Sequence, residues 1–194
     1  GGRENRRDCA MKGFIKHRVL AVLLLPLVVL APMLGDFIYL RGSDFSDLAI
    51  SHLPNTLWIQ RSLHEWGQVP LWSNTILSGY PFAANPLSGL HYPPGWIALL
   101  FPQPLGLNLL MLLHLLLGGV GMYLFLRAEG LENLAAGFGA LAFEAMPKLS
   151  AHMGAGHVSL VYAVSWTPWL LLAERRSKGS VWLPAVVLGL IALA

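Results

Sequence analysis

Two carboxylates and a histidine lie close together after the first hydrophobic run, in Arg41-Gly-Ser-Asp44-Phe-Ser-Asp47-Leu-Ala-Ile-Ser-His52-Leu-Pro54. Asp44 and Asp47 are three residues apart, which on a helix puts both carboxylates on one face with Cβ atoms ~5–6 Å apart. Such a pair could hold a divalent cation, Mg²⁺ or Mn²⁺, through hard oxygen ligands. One carboxylate could instead serve as a general base while the other tunes it by like-charge repulsion. Both are equally at home as charge at the positive end of a helix. His52, five residues after Asp47, could bind a phosphate as a cation, hydrogen-bond a sugar hydroxyl, or sit structurally at an interface.

A second polar segment runs Pro147-Lys-Leu-Ser-Ala-His152-Met-Gly-Ala-Gly-His157. His152 and His157 are five apart, so the i, i+4 spacing of a helical zinc pair is absent. No other cluster has metal-ligand spacing, and zinc is not expected. Glu144 falls within an apolar run, where an ionisable group is costly and by default a functional candidate; pairing with Lys148 at an interface is the alternative. His114 and Asn108 lie in another apolar run, where hydrogen bonding between helices is the usual role. Trp166 and Trp169, flanking Pro168, suggest interfacial packing.

The elements that must position these groups are apolar. The chain is 55% hydrophobic and 12% charged, with a mean hydropathy of +0.58; a soluble domain carries roughly 25% charged residues. Blocks at 19–40, 105–126, 134–146, 156–173 and 181–194 predict an all-α, polytopic transmembrane bundle, although a crossing helix needs ~20 residues and the third and fifth blocks are short. The first run has a basic flank, but its core is long for a signal peptide and lacks a small-x-small cleavage site. The lone Cys9 permits no internal disulfide.

Arg3, Arg6, Arg7, Lys12, Lys16 and Arg18 precede the first span and Arg175, Arg176 and Lys178 follow the fourth, whereas residues 41–104 contain only Arg41 and Arg61 as basic residues. Positive charge stays cytoplasmic. The expected layout is therefore a cytoplasmic basic N-terminus (1–18), a first span (19–40), an outer loop holding the candidate site (41–104) and further spans (105–194) in the plasma membrane. The formal net charge of +3 reads as topology rather than as a nucleic-acid surface. An apolar run reaching Ala194 and a Met11 preceded by Gly-Gly-Arg-Glu-Asn-Arg-Arg-Asp lead us to expect the N-terminal part of a longer protein.

Within the outer loop, residues 44–67 read as helical in two pieces. Ser43 or Asp44 is placed to cap the first, Pro54 fits the first turn of the second or a kink between them, and Gly67 is a stop. Ile59, Leu63 and Trp66 at i, i+4 and i+7 make one apolar stripe, with Trp58 and Trp66 as anchors for a helix lying in the membrane interface. From Val69 to Pro94, dense Pro and Gly exclude a regular helix, while the interleaved aromatics argue for an ordered loop packed on the mouth of the bundle.

The combined pattern Gly-Ser-Asp44, His52-Leu-Pro54, Trp66-Gly67-Gln-Val-Pro70-Leu-Trp72, Gly79-Tyr-Pro81-Phe-Ala-Ala-Asn85-Pro86 and His91-Tyr92-Pro93-Pro94 resembles the YfhO-like bacterial membrane proteins, as do Gly156-His157 and Trp166-Thr-Pro168-Trp169. These look like members of the GT-C superfamily of polytopic glycosyltransferases. The resemblance implies transfer of a sugar from a polyprenyl-phosphate carrier on the outer membrane face, with an acidic residue of the first outer loop as base or metal ligand. Asp44 matches that place best and Asp47 second. The leaving phosphate would then be met by Arg41, Arg61 and His52 from the first loop and by Lys148, His152 and His157 from the second. Glu144 departs from the neutral small or polar residue that the resemblance implies at its position. A non-catalytic protein binding lipid or a partner, and a transporter of polyprenyl-linked sugar, are the alternatives; a transporter should show broken helices and ionisable groups near the membrane midplane.

Overall fold

A computed structural model describes residues 46–76 and 78–194. Arg41, Asp44 and the apolar run 19–40 lie outside the described residues. Every regular element among the described residues is helical, and the only strand-like pairing is an isolated bridge between Ser73 and Tyr80.

The chain enters through one turn of π-helix, Leu48–His52, and passes directly into α1, Leu53–Trp66. Pro54 sits in the first turn of α1 and, lacking an N–H, ends the π-turn's bond series after Leu53 N–H to the Leu48 carbonyl, and Gly67 closes the helix in the left-handed conformation at φ 63°. The buried face of α1 carries Asn55, Thr56, Trp58, Ile59 and Ser62. This differs from the expected stripe. Trp58 is 8% exposed and joins Ile59, Phe82 and Leu90 in a small core, while Trp66 is 52% exposed and packs edge-on against it. Trp58 is thus a core residue and not an interface anchor, because the Pro-rich loop folds back over its side of the helix.

That loop is held by short 3₁₀ turns at Phe82–Ala84, Pro86–Ser88 and Pro93–Leu100. Side-chain amides of α1 tie it down: Asn55 Nδ2 donates to the Leu87 carbonyl at 2.9 Å and Gln60 Nε2 to the Phe101 carbonyl at 2.8 Å. At Gly79, φ is 107° and a Cβ would lie 2.4 Å from the Trp72 indole nitrogen, so only glycine lets Trp72 close the turn.

The remaining helices are α2 (Leu105–Ala128), α3 (Asn133–Glu144), α4 (Pro147–Ala155), α5 (Val158–Arg176) and α6 (Trp182–Leu193). Helix α2 is the central element, packing most extensively against α5 and then α3, while α6 packs on α5. Small residues allow this approach: Cβ atoms added at Gly118 and Gly121 would collide with Phe143 of α3 and Trp169 of α5. Among the described residues, only α2 is both long and apolar enough to cross a membrane. Helix α3 has 12 residues, which at 1.5 Å per residue is roughly 18 Å. The outward faces are nevertheless apolar, with Leu134 and Phe138 of α3 at 79% and 74% exposure and Trp182, Val186 and Leu188 of α6 also exposed.

Candidate functional site

The two polar segments meet. Helix α4 ends at Gly156 in the left-handed conformation, φ 83°, and a Cβ there would lie 2.5 Å from the Leu48 amide nitrogen and 2.9 Å from that of Asp47. Glycine therefore serves two needs at once: it closes α4 and lets the backbone of the π-turn lie directly on it. The turn sends His157 back over α4, with its Nδ1 2.9 Å from His152 Nδ1 and its Nε2 3.3 Å from Asp47 Oδ2. Histidines five apart meet because the left-handed cap reverses the chain between them.

The protons in this chain of contacts are constrained. A carboxylate can only accept, so Asp47 favours a proton on His157 Nε2. The bond between the two Nδ1 atoms needs one donor and one acceptor. If His157 is neutral, His152 Nδ1–H donates and His152 Nε2 is left as a basic nitrogen. If His157 is the imidazolium, it donates to both neighbours. While both contacts persist, the histidine pair carries at most one positive charge.

His52 lies in the wall of a small neighbouring cleft, together with Thr56, Ser88 and Ser159 as polar groups and Tyr92, Trp96, Leu107, Leu110 and Tyr162 as apolar or aromatic ones. Burial pushes the His52 imidazole down to about 4; Asp47 opposes that fall and His157 adds to it. Without a ligand the imidazole is thus held in its neutral form, which can hydrogen-bond a hydroxyl.

The remaining expected residues fall elsewhere. Arg61 is on α1, nine residues and roughly 14 Å of helix beyond His52, and is paired with Glu65 at 3.0 Å on the exposed surface. Lys148 is exposed on α4. A hard cation needs several oxygen ligands, whereas the described residues bring one carboxylate and several imidazoles together here. Asp44, the other half of the expected cation pair, lies outside the described residues, and among the described residues no group of three His, Cys, Asp or Glu side chains is placed to hold a metal ion.

Sequence reasoning missed the cleft's principal support. Tyr92, in the Pro-rich loop, donates its hydroxyl proton to His114 Nε2 of α2 and accepts from Trp166 Nε1 of α5 at 2.7 Å. His114 Nδ1 donates to the Leu110 carbonyl at 2.7 Å, which fixes the tautomer. The His114 and Tyr162 rings stack with centroids 4.1 Å apart. His114 thus bonds a loop residue rather than the neighbouring helix it was expected to meet. Burial raises the Tyr92 hydroxyl to about 12, so it remains a donor at physiological pH, although the Trp166 bond acts in the other direction. A lone Tyr between His91 and two prolines was the available signal.

Comparison with protein-family models, with curated proteins and with solved structures finds no match.

Proposed function

We propose that this protein is a membrane glycosyltransferase of the GT-C kind, transferring a sugar from a polyprenyl-phosphate carrier to an acceptor hydroxyl on the outer face. The observation that carries the reading is the Asp47–His157–His152 chain beside a cleft that is polar at His52 and Ser159 and apolar at Leu107 and Leu110. A ligand with a polar head and a long apolar tail suits such a lining. The exposed apolar faces of α3 and α6 support a lipid surround.

In this reading, His152 Nε2 takes the proton of the acceptor hydroxyl while its Nδ1–H donates to His157, and Asp47 stabilises the charge that develops on the pair. The acceptor oxygen bonds to the anomeric carbon, the carbon–oxygen bond to the lipid phosphate breaks, and the phosphate leaves with the electron pair. Asp44 is the second carboxylate of this loop. The test is transfer of a labelled sugar from polyprenyl-phosphate donors by membranes containing the protein. Labelled acceptor above the level of membranes lacking it supports the proposal; donor binding without transfer contradicts it and favours a non-catalytic binding protein.

A second reading, transport of a polyprenyl-linked sugar, is favoured by one specific observation. The apolar path from α3 into α4 is broken at Ala145–Met146, directly after a buried carboxyl. Donor movement between leaflets without transfer would select it.

A further inference from the structure

We propose that Glu144 is a proton-binding site, its neutral carboxyl seated in a notch over Gly119 at the break between α3 and α4. This goes beyond the transferase reading and does not depend on it.

Glu144 is only 8% exposed, and neither carboxylate oxygen has a hydrogen-bond partner among the described residues. The group fills the space left by a missing side chain: a Cβ on Gly119 would lie 1.9 Å from Oε1 and 2.3 Å from the carboxyl carbon. Gly119 is nine residues, roughly 14 Å, from the Ala128 end of a helix roughly 36 Å long. Glu144 therefore lies opposite the interior of α2 and not beside its end. The physical reason is the shortness of α3, whose 12 residues reach only about half that length.

Among the described residues, none of the titratable groups around it reaches the carboxyl. On α2, His114 bonds Tyr92, Tyr123 bonds Asn133 at 3.2 Å and Arg127 donates to the Leu131 carbonyl. On α5, Arg175 pairs with Glu129 at 2.8 Å, and the buried Tyr162 hydroxyl does not reach Glu144. On α4, Lys148 is exposed and gives it no partner, contrary to the expected pairing, while His152 bonds His157. An ionised carboxylate removed from water with neither cation nor donor beside it is strongly disfavoured. A metal ion would need further oxygen ligands, and the carboxyl packs directly against the Gly119 backbone. A proton is the ligand that fits. The position at the C-terminal end of α3, the negative end of its dipole, also favours uptake of positive charge.

A hydrophobic carbodiimide tests this, because it reacts with protonated carboxyls in water-poor surroundings. The acid proton moves to a carbodiimide nitrogen, the carboxyl oxygen adds to the central carbon, and the acyl group then shifts to nitrogen. One whole reagent molecule is thereby added and nothing leaves. The protein in membranes is treated with dicyclohexylcarbodiimide over a pH series and mapped by peptide mass. The expected result is an adduct on the Glu144 peptide that declines as pH rises and is lost in Glu144→Gln, with Glu129 and Glu174 unmodified. In Gly119→Ala the added methyl expels the carboxyl and the adduct is lost although Glu144 is present. Modification of Glu144 no greater than that of Glu129 and Glu174, or unchanged in Gly119→Ala, overturns the proposal. Neither readout involves sugar transfer, so its failure is distinct from failure of the transferase reading.

Discussion

His157 Nε2 stands 3.3 Å from Asp47 Oδ2, and this contact joins the π-turn ahead of α1 to the turn between α4 and α5. Its partners are on segments far apart in sequence, so the contact depends on how closely those segments approach. Gly156 sets that approach.

Gly156→Ala is expected to separate the pair. The substitution forces a Cβ to within 2.5 Å of the Leu48 amide nitrogen and requires a non-glycine residue at φ 83°. A penalty of about 1–3 kcal/mol follows from the backbone strain. Thermal unfolding in detergent should show a lower midpoint, and transfer activity should fall further than the midpoint shift explains.

His52 makes stability depend on pH. Its imidazole falls from 6.5 to about 4 on folding, so between those values the unfolded chain binds the proton that the folded protein rejects. Stability is then fully present above pH 6.5 and is lost as pH drops toward 4, by on the order of 1–3 kcal/mol. Unfolding midpoints of wild type and His52→Gln across this window check it; the variant should give a flatter profile. Equal slopes would show that His52 does not control the transition.

Tyr92→Phe removes the hydroxyl that serves both His114 and Trp166. Two polar groups are then left without their bond, at a cost of about 1–3 kcal/mol where they are buried. A shift in tryptophan emission from Trp166 together with a lower unfolding midpoint is the expected signature.

Arg61→Gln provides the contrast. Its partner Glu65 is one turn away and both are largely exposed, so the change should alter stability by no more than about 0.5 kcal/mol and leave sugar transfer intact. Loss of transfer would return Arg61 to the site.

The helices were legible where their signals are local. The apolar run from Leu105 reads as α2, and Pro54 and Gly67 mark the ends of α1 through backbone preferences that need no tertiary contact. Asp47 and His157 could each be singled out, but their meeting could not, because it depends on a left-handed cap seated against a backbone distant in sequence. Trp58 was misplaced for a related reason: periodicity shows that a face is apolar, not whether a loop will cover it. The sequence leaves Glu144 open between a functional group in a short apolar run and an interface partner of Lys148, because which groups surround it depends on how α3 packs on α2. Tyr92 stands out in the sequence only as part of a motif, because its partners His114 and Trp166 lie on two later helices.

The most direct test of the account compares sugar transfer by wild type and Asp47→Asn in membranes, at equal protein level and equal unfolding midpoint. The substitution keeps the size of the side chain but removes the charge that holds the His157–His152 pair in order. The account predicts a loss of transfer of about 10²-fold or more, as expected on removing a group that supports general base catalysis. Equal transfer by both proteins would contradict it, and would remove the Asp47–His157–His152 chain from the chemistry.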